Sequence, residues 1–145
     1  MSYEGGRNYG SGFTGDGGHE EMLLSKDFKF DAAHNLIHYH GKCEKLHGHT
    51  YRLRIVLEGY PDSEGMIMDF CELKEIVSER VISRLDHAYI NDIIEQPSAE
   101  NIALWVWHEL YASLERENCK LYEVHVWETE TSCVTLRECD MQKGE

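Results

Sequence analysis

From Leu46 to Glu58 residues of two kinds alternate, with His47, His49, Tyr51, Leu53, Ile55 and Leu57 on one parity and Thr50, Arg52 and Arg54 on the other. Successive side chains of an extended strand point to opposite faces, so this segment fits a strand with one buried face and does not fit a helix. The buried row changes character at its amino-terminal end, where it runs into His47-Gly48-His49. The two imidazoles project the same way, and the glycine between them leaves the other face uncrowded. A second row, Phe28, Phe30 and Ala32, ends in His34. Adjacent antiparallel strands would bring all three imidazoles together. Three neutral nitrogens with no fourth protein ligand leave a coordination position for water or substrate, which describes a catalytic rather than a structural zinc. An isolated His-x-His is often two ordinary histidines. The strand ending in His34 and the cysteine just upstream, Cys43, favour the metal. His38 and His40 form a rival pair, but Ile37-His38-Tyr39-His40-Gly41 shows no continuing alternation and reads as a loop facing solvent or substrate.

Around these strands the pattern predicts an α+β domain in the order strand, strand, helix, helix, strand, strand, with an antiparallel sheet and both helices on one face. The first strand spans about Met22 to His34. After the turn cluster Tyr60-Pro61-Asp62-Ser63-Glu64-Gly65, Asp69 and Glu72 form a variant capping box, and Leu73, Val77, Val81 and Leu85 recur at helical spacing to about Arg84. A second helix follows Pro97-Ser98-Ala99-Glu100, with Ser98 able to cap, and runs to about Glu115. Alternation then returns, with Tyr122, Val124, Val126 and Glu128 on one face and Glu123, His125 and Trp127 on the other, before a last strand from Cys133 to Arg137. Residues 1–21 hold many of the glycines and little that can pack, so they are expected to be a flexible tail preceding a domain over 22–145.

With 145 residues, 41% of them hydrophobic and 28% charged, the chain has room for one domain with a real core. Its formal charge of −13 argues against nucleic acid or an anionic membrane as the main partner. No apolar run approaches the ~20 residues that span a bilayer, and the expected location is the cytoplasm. Five cysteines without a CxxC pair suggest free thiols.

Two further features invite chemistry. Asp86-His87 follows the first predicted helix; it can be a capping or surface pair, or a carboxylate orienting an imidazole for proton transfer. Glu128 ends an apolar row, where an unpaired carboxylate is costly to bury. It suits either a salt bridge to Arg52 or Arg54, or a planar heterocycle offering an amino group and a ring N–H.

Taken together, Phe30-Asp31-Ala32-Ala33-His34, Cys43-x-x-x-His47-Gly48-His49, Met68-Asp69-Phe70, Leu85-Asp86-His87, Asn91-Asp92, Pro97-Ser98-Ala99-Glu100-Asn101 and Glu128-Thr129 resemble the 6-pyruvoyl-tetrahydropterin synthase family, which includes 6-carboxytetrahydropterin synthase. The resemblance runs from about Leu23 to Glu138. It implies a tunnelling fold, with subunits joined into an oligomeric barrel, usually a homohexamer of two trimers, and active sites between subunits. It makes His34, His47 and His49 the ligands of Zn2+, Cys43 the general base, Asp86 and His87 its partners in proton transfer, and Glu128 the anchor of a pterin ring, with Ser98 either touching the pterin or capping its helix.

Family members share the substrate 7,8-dihydroneopterin triphosphate and divide over its fate. The short interval between Cys43 and His47 resembles the branch that makes 6-carboxy-5,6,7,8-tetrahydropterin on the way to queuosine and other 7-deazaguanines. A longer interval is usual where triphosphate is eliminated to give 6-pyruvoyl-tetrahydropterin. A third branch carries glutamate in Glu-x-x-His-Gly-His and releases 6-hydroxymethyl-dihydropterin for folate. Here Glu44 directly follows Cys43, so one site could serve two routes, or Glu44 could be a solvated loop residue. A zinc- or pterin-binding scaffold without turnover is the reading from another class. Lys26, Lys42, Lys45 and Arg52 are the plausible contacts for the triphosphate.

Overall fold

The computed structural model describes residues 20–41 and 44–141. Four strands, β1 (Met22–His34), β2 (His47–Gly59), β3 (Cys119–Thr129) and β4 (Ser132–Arg137), form one antiparallel sheet in sequence order. The expected rows are present. Phe30, Ala32, Tyr51, Leu53, Ile55 and Leu57 are buried on one face, and the Phe30 and Tyr51 rings stack at 4.9 Å across the β1–β2 pair. The register pairs Ala32 with His49 and His34 with His47, which sets the three histidines at one end of the sheet.

The same face is covered by helices. Helix α1 (Phe70–Val77) starts at Asp69, whose carboxylate accepts from the Cys71 N–H, and continues through a π-helical turn, Ser78–Ile82, into α2 (Ser83–Leu85). The single helix expected to Arg84 is thus widened at its middle. The Ser83 hydroxyl donates to the Glu79 carbonyl at 2.6 Å, a local bond that competes with the helical ladder, while Val81 and Leu85 still reach the core. Helix α3 (Ala99–Leu110) begins at Ser98, whose side chain accepts from the Asn101 N–H. It ends before the expected Glu115, but the following turn still carries Leu114 into the core. A last turn, α4 (Glu138–Met141), follows β4.

One expected face is corrected. A bulge opposite Val56 and Leu57 pairs Leu57 with Leu121 and Val56 with Glu123, so Leu121 takes the core position and Tyr122 is only half-buried. Beyond the bulge Val124, Val126 and Glu128 keep the predicted parity. Gly59 meets a close approach at the base of β2: a Cβ there would lie 2.2 Å from the Asn118 carbonyl oxygen. Of the expected tail, residues 1–19 lie outside the described residues, as does Cys43. Among the described residues no helix is long and apolar enough to cross a membrane.

Candidate metal centre

His34, His47 and His49 converge as the strand register requires, and the carboxylate of Glu128 joins them, with all four donor atoms within 4.8 Å of one another. Two of the rings are oriented from behind. His34 Nδ1 lies 2.8 Å from the Pro97 carbonyl oxygen, and His47 Nδ1 lies 2.9 Å from that of Lys45. A carbonyl only accepts, so Nδ1 carries the proton in both rings and each Nε2 is left with a lone pair. Those two Nε2 atoms are 3.1 Å apart. Two lone pairs at that separation repel unless a cation lies between them. For tetrahedral nitrogen ligands the edge would be roughly 3.3 Å, close to what is found.

His49 gives the same answer independently. Its Nε2 is shut off from solvent and, among the described residues, has no hydrogen-bond partner, although Glu128 Oε1 lies 3.0 Å away out of line. Burial holds the His49 imidazole below its ordinary pKa, against a smaller opposing pull from Glu128, and so favours the neutral ligating form. The three imidazoles therefore fit a resident zinc ion, with the Glu128 carboxylate beside them. Tyr51 lies beneath, its ring centroid 5.6 Å from that of His49, with a buried hydroxyl that has no partner among the described residues; burial raises its pKa far above the phenolic range.

Glu128 is not in a salt bridge with Arg52 or Arg54. Its Oε1 also lies 3.4 Å from His34 Nε2, so the carboxylate borders the three histidines. Glu44 is not a free surface residue either. Its Oε1 is 3.2 Å from His47 Nδ1, on the side of the ring away from the cluster. Arg52 projects from the opposite sheet face, so it is not placed to serve a ligand held by the histidines of its own chain. Ser98 caps α3 and does not belong to the cluster.

Asp86 and His87 form a separate cluster with Asp31 along the free edge of β1. Asp86 Oδ2 is 3.0 Å from His87 Nδ1, while Asp86 Oδ1 accepts from the backbone N–H of Asp31 at 3.0 Å. That backbone hydrogen bond, reinforced by His87, holds the Asp86 carboxyl below the usual carboxylate range. The His87 N–H donates to the Asp31 carbonyl at 2.6 Å, and the residue takes φ 59°. An open groove of ≈ 480 Å³ along Asp31, Ala33, His49, Thr50 and His87 joins this edge to the histidine end of the sheet.

Sequence reasoning missed the residues that hold these groups. The backbone carbonyls of Pro97 and Lys45 have no residue-type signature. Gln96, whose Oε1 accepts from the Ile37 N–H at 2.8 Å, and Asn91, whose Nδ2 donates to the Asn35 carbonyl at 2.8 Å, fix the loop after β1. Asn91 and Asp31 lie within motifs quoted above, which is the only signal that could have found them.

The family model for 6-pyruvoyl tetrahydropterin synthase matches residues 23–139. A 6-carboxy-5,6,7,8-tetrahydropterin synthase from Synechocystis sp. is 41% identical over 118 residues, covering 76% of this chain and 88% of that protein. A dihydroneopterin monophosphate aldolase from Pyrococcus furiosus is 40% identical over 99 residues, covering 68% and 82%. The structure of Caenorhabditis elegans 6-pyruvoyl tetrahydropterin synthase superposes with a TM-score of 0.69 at 25% identity, covering 82% of this chain and 96% of that one.

Proposed function

Because this chain belongs to the 6-pyruvoyl tetrahydropterin synthase family of pterin lyases and has its tunnelling fold, we propose that it is a zinc-dependent 6-carboxy-5,6,7,8-tetrahydropterin synthase acting on 7,8-dihydroneopterin triphosphate. The observation that carries the zinc is the pair of Nε2 atoms facing each other at 3.1 Å with both Nδ1 atoms committed to carbonyls. The choice of branch rests on the short Cys43–His47 interval and on the Synechocystis relative. The product would feed 7-deazaguanine synthesis in the cytoplasm.

His34, His47 and His49 would hold the ion. Zinc bound there acidifies the hydroxyls of the substrate side chain and steadies negative charge that develops on it. Cys43, as thiolate, removes a carbon-bound proton. Asp86, kept ionised by the Asp31 N–H, fixes the proton on His87 Nδ1 and leaves Nε2 free to take up or return the second proton. Glu128 accepts parallel hydrogen bonds from the pterin amino group and ring N–H. His87 is 79% exposed, and a subunit closing over the β1 edge, as in a homohexamer, would shelter it.

A second reading is favoured by the motif Glu44-x-x-His47-Gly48-His49 and by the Pyrococcus furiosus relative: release of 6-hydroxymethyl-dihydropterin from the same site. The test for the main reading is Cys43→Ala. Lost turnover with zinc retained supports the assigned base, and unchanged turnover removes Cys43 from the mechanism.

A further inference from the structure

The segment Gln96-Pro97-Ser98 does more than start α3. The Asn101 side chain donates through Nδ2 to the Gln96 carbonyl at 2.8 Å, and the Asn101 backbone N–H donates to the Ser98 hydroxyl at 3.2 Å. Gln96 and Pro97 are thereby tied to the first turn of a helix, and each grips the chain at the end of β1. The Pro97 carbonyl holds His34 at 2.8 Å. The Gln96 Oε1 accepts from the N–H of Ile37 at 2.8 Å and from that of His38 at 3.4 Å. Both partners are donors, so the amide must turn its oxygen toward them, and a carboxylate could take its place.

The same loop leads on to a second imidazole. Asn91 grips Asn35 on both sides, Oδ1 accepting from its N–H at 3.0 Å and Nδ2 donating to its carbonyl at 2.8 Å. The Leu36 carbonyl accepts from the Glu44 N–H at 2.9 Å, and the Glu44 carboxylate lies 3.2 Å from His47 Nδ1. From His38 to Gly41 the chain is exposed, and it turns at His40 and Gly41, both at positive φ. Gln96 therefore sets the direction in which the loop leaves the fold. In the sequence Cys43 directly precedes Glu44.

We propose that Gln96 is a positioning residue for Cys43: it fixes the loop after β1 to the same short segment that holds His34, so that the thiol and the metal centre share one frame. This role rests on the reading of Cys43 as the base. Misplacing a reacting group by 1 Å costs on the order of 100-fold in rate. A single side-chain oxygen can therefore govern turnover without touching metal or substrate.

The test compares Gln96→Met, which keeps the length and removes the acceptor, with Gln96→Glu, which restores an acceptor oxygen. Zinc content, kcat and KM are measured on the full zinc-loaded chain. Alkylation by iodoacetamide is followed in parallel by peptide mass spectrometry, with the exposed Cys71 as internal reference. The proposal predicts that Gln96→Met keeps its zinc, loses about 100-fold in kcat with KM within about twofold, and alkylates Cys43 about tenfold more slowly relative to Cys71, because a thiol moved away from the cation is less ionised. Gln96→Glu should restore both rates. Circular dichroism reports folding, and Gln96→Asn, whose acceptor is drawn back by one methylene, carries the test if Gln96→Met is misfolded. Unchanged kcat and Cys43 alkylation in the folded variant, loss of zinc from it, or no restoration by glutamate would overturn the proposal. Normal turnover in Cys43→Ala would overturn the base and this role with it, whereas none of the Gln96 outcomes removes the base.

Discussion

The two groups of ionisable residues nearest the groove are built on opposite terms. His34 is 2% exposed and held by the Pro97 carbonyl, whereas His87 is 79% exposed and held by its own backbone at a sheet edge. The buried group is positioned by several elements at once: two strands supply its imidazoles, and the chain before α3 supplies the acceptor behind one of them. The exposed group depends on the Asp31 carbonyl and N–H. A metal needs its ligands arranged in advance, and burial with backbone acceptors achieves that. A proton-transfer pair can wait for substrate or a second subunit to enclose it.

If this contrast holds, the two groups separate under mutation. The largest effect is expected at the buried group: His49→Ala should lose stoichiometric zinc, read by elemental analysis, and abolish turnover. At the exposed group Asp86→Asn should keep its zinc and lower kcat by about 10²–10⁴-fold. Zinc lost from the Asp86 variant would show that the two clusters are one. Glu128→Gln sharpens the boundary. A pterin anchor predicts retained zinc and a kcat/KM reduced by roughly 10–100-fold, whereas a fourth ligand predicts reduced zinc affinity. The smallest effect is expected from Glu44→Ala, about tenfold in zinc affinity through the orientation of His47, with the product unchanged. A selective loss of 6-hydroxymethyl-dihydropterin would instead give Glu44 a part in a second reaction.

What could be read in the residues divides along the same line. The alternation of His47, His49 and Tyr51, and of Phe30, Ala32 and His34, carries the face in its parity, so the convergence of the three histidines is legible in the residues alone. Glu128 was legible as an anomaly at the end of an apolar row, but its neighbours were not, because parity names a face and not a partner. The bulge at Leu121 was hidden, since Tyr122 suits a strand face as well as leucine does. The clamps on His34 and His47 come from main-chain carbonyls that any residue would supply. The Asp31–Asp86 contact joins segments far apart in the chain through a backbone N–H, which no spacing rule reveals.

Product identification tests the central claim most directly: zinc-loaded protein is incubated with 7,8-dihydroneopterin triphosphate and the pterins are resolved by mass spectrometry. The account predicts 6-carboxy-5,6,7,8-tetrahydropterin together with acetaldehyde. Accumulation of 6-pyruvoyl-tetrahydropterin or of 6-hydroxymethyl-dihydropterin alone, or no turnover with zinc bound, would contradict it.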